Sequence, residues 1–176
     1  MLNFYNNYIV IKKATTSETF YGHVKNVFVD KSNTNKTSYS IFEVKDLSTS
    51  TIKSDIYFDI ISCFFAIHYF YENEEKLNNF IQNLHKVKNN GYVLITTLSS
   101  DKLKEIDYTY TSENLKITKD KFNSNNKLGN SINVYIKDTV LDDETKEFIV
   151  DENFTINFMK TKGFELVETK LFEEYY

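Results

Sequence analysis

A chain of 176 residues suits one domain, and 41% hydrophobic with 16% aromatic content excludes wholesale disorder. A formal net charge of −4 argues against broad nucleic-acid binding as the main task, though not against recognition of one nucleic-acid end. The lone Cys63 excludes an internal disulfide and a Cys-rich zinc site, and no apolar run reaches the ~18 residues of a membrane-crossing helix.

In "MLNFYNNYIVIKK" the lysines follow the apolar stretch, the wrong order for a signal peptide, so an intracellular place, nucleus or cytoplasm, is expected. There is no proline, no tryptophan, and every basic residue is lysine. With abundant Asn and Ile, this points to an A/T-rich genome: a virus with its factory, a cytoplasmic plasmid, or an A/T-rich cell.

Tyr8–Ile11 is a short strand candidate. Lys31–Ser40 has no periodicity and reads as a surface loop, and Ile41–Lys45 reads as a strand running towards Asp46. Ile56–Cys63 is nearly continuous in apolar residues, the pattern of a parallel strand covered on both faces. Leu77, Phe80, Ile81, Leu84 and Val87 then recur at helical spacing. Asn73 is the expected N-cap, Glu74 and Glu75 suit the positive helix end, and Gly91 is the expected terminator. Tyr92–Thr97 is a second buried strand, which makes a parallel βαβ crossover.

Ser100 is expected to cap a short helix through Ile106. Ser131–Lys137 and Glu147–Val150 read as antiparallel strands around the turn "DDET". Asn153 is expected to cap a helix bearing Phe154, Ile156, Phe158 and Met159, ended by Gly163, before a last strand over Phe164–Phe172. The fold class is therefore α/β, in one layered domain over residues 1–176.

Ligands in such sheets collect beyond the carboxyl ends of the strands, which places Asp46, "FAIHYF" and Thr97–Ser99 at a crevice. Standing alone, His68 reads more simply as a surface or satisfied loop histidine, while for Tyr69, Phe70 and Tyr71 packing and a role in the crevice stay equally open. Cys63 reads as a small buried hydrophobe, and Glu72, Glu74 and Glu75 as a solvated helix start. His23, His68 and His85 lack metal-ligand spacing, so no metal is expected.

The stretch "FDIISCFFAIHYFYENEEKLNNFIQNLHKVKNNGYVLITTLSSDKL" resembles the central segment of mRNA cap guanine-N7 methyltransferases. That family has a Phe-Asp-x-x-Ser-Cys-Gln-Phe-x-x-His-Tyr run, a helix, then Gly-Gly-Tyr and a strand ending in Thr-Thr. "LGNSINVYI" is similar to its Phe-Gly-Asn segment. "KEFIVDENFTINFMKTKGFELVETKLFEEY" is similar to its Pro-Glu-Phe-Leu-Val segment with the helix and strand beyond it. The resemblance covers about residues 46–176.

It implies a partial Rossmann-like class I S-adenosylmethionine-dependent fold with an antiparallel β insertion. By the same resemblance His68, Tyr69 and Glu147 bind the cap guanine, positioning it rather than transferring protons. Asp46, Leu47 and Phe64 contact S-adenosylmethionine, with Phe64 standing where the family has Gln. The implied partner is the capped 5′ end of RNA, with other capping-enzyme subunits or a missing N-terminal part, and no membrane. The family's glycine-rich turn after its first strand is absent, because only Gly22 precedes Gly91. Its last strand, with a further cap-contacting aromatic, has no counterpart before Tyr176. Two function classes stay open on the sequence: the methyltransferase, as a truncated or split chain, and an inactive methyltransferase-like module that binds a capping subunit or the cap. Methyl transfer to some other small acceptor is a weaker third.

Overall fold

The computed structural model describes residues 6–13, 28–29, 39–40, 44–138 and 143–175. Two sheets organise it. The first has the order β10-β1-β5-β4 and comprises β1 (Asn6–Lys13), β4 (Phe58–Phe64), β5 (Val87–Leu98) and β10 (Phe164–Leu171). A two-stranded pair, β2 (Phe28–Val29) with β3 (Tyr39–Ser40), stands apart. The second four-stranded sheet is antiparallel and runs β6 (Thr109–Thr111), β7 (Leu115–Lys121), β8 (Ser131–Ile136) and β9 (Thr145–Phe148).

The parallel crossover is present. β4 pairs parallel with β5, Cys63 opposite Ile95, and the helix α1 (Glu74–Leu84) joins them. Asn73 caps α1 by accepting the Lys76 N–H at 3.0 Å, as its sequence position implies. Leu77, Phe80, Ile81 and Leu84 then pack against Cys63, Val93 and Ile95 of the sheet. The helix α3 (Glu152–Thr161) buries Met159 in the same cluster, and Gly163 follows its end. Both helices therefore lie on one face of the first sheet.

Several boundaries move. Gly91 does not end α1, because the chain turns at His85 and Gly91 lies inside β5. A Cβ at Gly91 would meet the Asp59 carbonyl oxygen at 2.7 Å, so this glycine permits the close approach of β5 to β4. The helix α2 (Ser100–Glu105) is capped by Ser99 rather than Ser100, and α3 by Asp151 rather than Asn153. In both cases the capping oxygen that accepts the N–H three residues on belongs to an earlier residue. Asn153 is instead exposed inside α3. The strand expected over Ile41–Lys45 is not formed at residues 44–45, and residues 41–43 lie outside the described residues. Most of the loop expected over Lys31–Ser40 lies outside them too, and Tyr39–Ser40 is strand.

Two arrangements were not expected from sequence. β1 lies between β5 and β10, antiparallel to both, with Ile9 opposite Ile95 and Thr169. β4, expected to be covered on both faces, keeps one face open: Ile60 is 63% exposed and Phe64 56%. Among the described residues no helix is long and apolar enough to cross a membrane.

The second sheet has its own core. Leu115, Ile117, Ile132, Val134 and Ile149 bury one face of it against Leu103 of α2. Glu152, at the start of α3, accepts the Ser100 N–H at 2.8 Å and also the Ser100 hydroxyl, tying α3 to α2. A buried carboxylate with two donors is well satisfied, and here it fixes the second sheet against the first unit.

Candidate cap-binding site

The site begins where β4 ends. Phe65 takes φ +48°, uncommon for a bulky residue, and its N–H donates to both the carbonyl and the hydroxyl oxygen of Thr96, each at 3.0 Å. Those two bonds turn the chain sharply into a 3-10 turn, Ile67–Phe70. Ile67 is fully buried, and so is Tyr71 just beyond. The Tyr71 hydroxyl bonds the Thr155 hydroxyl of α3. This anchoring holds His68 between them, 7% exposed, facing away from solvent.

The partner comes from the other end of the chain. The Tyr71 carbonyl accepts the Gly129 N–H at 2.9 Å, and Gly129 sits at φ +77°, where other residues are strained. Asn130 then bonds back to Asn123 and Asn126, and its carbonyl accepts the Ile149 N–H at 2.8 Å. The "LGN" segment thus clamps β8 and the exit of β9 onto the turn that carries His68. Glu147 lies opposite Ile132 in the β8–β9 register, on the buried side of that sheet. The result is a meeting of distant residues: His68 Nδ1 stands 3.8 Å from Glu147 Oε2.

Both line a cavity of about 230 Å³. Phe65 and Leu98 close it from the first sheet, and Leu115, Ile117, Val134 and Ile136 from the second. The walls are apolar and the two polar groups converge, the usual form of a small-ligand pocket. At 3.8 Å the pair is too long for a hydrogen bond, and burial governs both groups. It pushes Glu147 up to about 7 and His68 down to about 4, so near neutrality the imidazole is uncharged and the carboxyl is poised to ionise. His68 Nε2 is buried with no hydrogen-bond partner, and such a group ordinarily has one.

Tyr69 departs from expectation. It does not line the cavity, is 53% exposed, and packs obliquely against the His68 ring with centroids 4.1 Å apart. The reason is local: in a 3-10 turn successive side chains diverge by about a third of a rotation, so with His68 inward its neighbour points out. Phe65, placed at the crevice by the sequence but given no contact role there, is the aromatic wall. The paired phenylalanines at the strand's end were the available signal, but nothing in the sequence reveals the positive φ that turns Phe65 inward and Phe64 outward.

The three remaining candidate residues lie elsewhere. Asp46 is exposed at a turn, where bonds from Ser48, its hydroxyl and then its N–H at 2.8 Å, hold the carboxyl below its usual range. Leu47 is half-buried against the first core, and Phe64 is exposed at the end of β4. None of the three lines the His68–Glu147 cavity. Cys63 is buried, with its thiol pushed up to about 11 by burial, and is inert packing.

Residues 28–176 match the family model of the mRNA (guanine-N(7))-methyltransferase domain. The chain belongs to the mRNA guanine-N7-methyltransferase family. A probable mRNA-capping enzyme of Acanthamoeba polyphaga mimivirus is 31% identical over 132 residues, covering 65% of this chain. The chain spans only 11% of that relative's length. The family is of class I, with S-adenosylmethionine as methyl donor, and the mixed α/β architecture agrees with it. The fit of this methyltransferase-family chain to the donor is one-sided. The Asp46 carboxylate can accept from an amine and Phe64 offers an apolar face. Of the described glycines, Gly91 lies within a strand, and Gly129 and Gly163 lie at other turns. None forms the glycine turn after a strand that admits a ligand to the backbone.

Proposed function

We propose that this chain is the cap-guanine-binding part of an mRNA cap guanine-N7 methyltransferase. One observation carries the reading: His68 and Glu147, far apart in sequence, converge over one apolar cavity with an unpartnered imidazole nitrogen. A purely structural role gives two poorly satisfied polar groups no reason to be buried together. A guanine supplies what they lack. Its N1–H and exocyclic amine donate to the Glu147 carboxylate, and the same edge of adenine cannot. Phe65 gives the aromatic wall of the cavity.

Guanine N7 carries a free lone pair at neutral pH, so its methylation needs no general base. His68 and Glu147 therefore position the base, and catalysis rests on alignment. S-adenosylmethionine supplies the methyl group when bound. The residues present fit only its adenosine end, with Asp46, Leu47 and Phe64 the contacts, so no step through it is derived for this chain alone.

On this reading residues 1–176 form a single methyltransferase-like unit without the first strand and glycine turn. Its partners are the capped 5′ end of RNA and the capping subunits, or the N-terminal part, that complete it. Such RNA is met inside cells, in the nucleus, the cytoplasm or a virus factory. The A/T-rich composition and the mimivirus relative suit a viral or similarly biased genome. Calorimetric titration with a cap analogue tests the proposal. Binding that is lost in Glu147→Ala supports it, and equal binding by wild type and variant contradicts it.

A further inference from the structure

A second cavity lies beside the clamp that brings β8 and β9 onto the His68 turn. It measures about 300 Å³, larger than the 230 Å³ cavity at His68 and Glu147. Lys104 of α2, the connection between β7 and β8 with Phe122, Asn126 and Lys127, and Ile149 line it. Asn130 gives it a fixed shape. Its buried side chain donates to the Asn123 and Asn126 carbonyls at 3.1 and 2.9 Å and accepts the Asn123 N–H at 2.8 Å.

The cavity offers an aromatic ring and two ammonium groups. Phe122 is 40% exposed. Lys119 Nζ stands 5.2 Å from its ring centroid and donates to the Lys104 carbonyl at 3.3 Å, which braces the ring against the end of α2. Lys104 and Lys127 are about half exposed and pair with Asp101 at 2.7 Å and Asp151 at 2.9 Å. Surface pairs of this kind contribute little, so an incoming phosphate exchanges with them at low cost. Asp151, the carboxylate in the lining, is offset by Lys127 and by the Phe154 N–H at 2.9 Å. A stacking face, amides that can meet a base edge and counter-charge for a phosphate are together what a single-stranded nucleotide needs.

The position fits as well. Val134 and Ile136 line the cap cavity, whereas Asn130 lines this one, just before the start of β8. At a strand's rise per residue the two are roughly 14–20 Å apart, a span that a capped chain covers with its triphosphate and first few nucleotides.

We propose that this cavity receives a nucleotide of the RNA body a few positions beyond the cap, its base on Phe122 and its phosphate at Lys104 and Lys127. The inference rests on the cap reading and extends it. The cavity at His68 and Glu147 selects the guanine, and the second cavity makes capped RNA a better ligand than a free cap nucleotide. Stacking suits every base, so the gain does not depend on sequence.

Calorimetric titration of the full chain with a cap dinucleotide and with a capped RNA hexamer tests this. The hexamer should bind roughly tenfold more tightly, as one stacked base allows. Phe122→Ala should abolish that gain, and Lys104→Ala should lessen the salt dependence of hexamer binding. Neither variant should change the affinity for the dinucleotide. Equal wild-type affinity for the two ligands overturns the proposal, and so does a gain that survives Phe122→Ala. A Phe122→Ala chain that loses dinucleotide and hexamer affinity alike also overturns it, because the ring then acts only by supporting the cap cavity. Hexamers carrying 4-thiouridine read the docking independently. Their photocross-links should fall on residues 122–127, and cross-links confined to other segments overturn the proposal. A dinucleotide that fails to bind, with the hexamer still cross-linked at residues 122–127, sinks the cap reading and leaves the RNA docking standing.

Discussion

Replacing Glu147 by Gln separates what the residue costs the fold from what it gives the ligand. Burial raises its carboxyl from 4.5 to about 7, so ionising it in the folded state costs roughly 3 kcal/mol by the ordinary linkage relation. The sign is fixed. Below pH 4.5 the group is neutral in both states and the cost is absent. Stability then declines as pH rises towards 7, and the full cost is present above it. Glu147→Gln keeps the shape without the charge, so at pH 8 the variant should be more stable by up to about 3 kcal/mol, and at pH 4 unchanged. Urea unfolding at both pH values measures this.

Cap binding should move the other way. On the proposed reading the carboxylate form accepts the guanine edge, so wild-type affinity should fall roughly tenfold from pH 8 to pH 6 as the group protonates. The variant should bind about 30- to 150-fold more weakly at pH 8, the equivalent of roughly 2–3 kcal/mol for a charged hydrogen-bonded contact, with no such pH slope. A Glu147→Gln chain that is less stable at pH 8 and binds the cap analogue normally would refute the reasoning on both counts.

Other expectations rest on single contacts. His68 is held neutral with a value near 4, so wild-type stability should be lost as pH falls from about 6.5 to 4, and His68→Gln should flatten that acid limb in urea titrations. Gly91→Ala should cost about 2–3 kcal/mol, because the new Cβ meets Asp59 backbone and Val87 within 2.8 Å, and a near-neutral result in urea unfolding would contradict the close approach. Tyr71→Phe should cost about 1 kcal/mol by removing the buried bond to Thr155, read in the same assay. S-adenosylmethionine should bind the isolated chain poorly, and a submicromolar Kd by calorimetry would reveal a glycine-poor donor site.

What could be read in advance was what is local. The α1 cap, its apolar stripe and the βαβ crossover all depend on residues within a few turns of one another, and they stand where expected. Strands β6 and β7 escaped notice because "TYT" and "LKITKDK" mix Lys and Thr on the solvent side with few apolar residues on the other. The place of β1 between β5 and β10 is a long-range pairing that no periodicity within "NNYIVIKK" encodes. The same distinction runs through the site. Resemblance marked His68 and Glu147, but their approach depends on Gly129 and Asn130, whose roles become evident only when β8 returns to Tyr71. Tyr69 was expected in the cavity from the family resemblance, and its place next to His68 in a tight turn is what sends it outward.

The most direct test of the central claim is discrimination between bases. Calorimetric titration at pH 8 should compare a guanine-capped dinucleotide, linked 5′ to 5′ through three phosphates, with its adenine counterpart. If Glu147 reads the guanine edge, the guanine cap should bind about 100-fold more tightly, the worth of roughly 2–3 kcal/mol. Equal affinity for the two, or none for either, would contradict a cap site at His68 and Glu147.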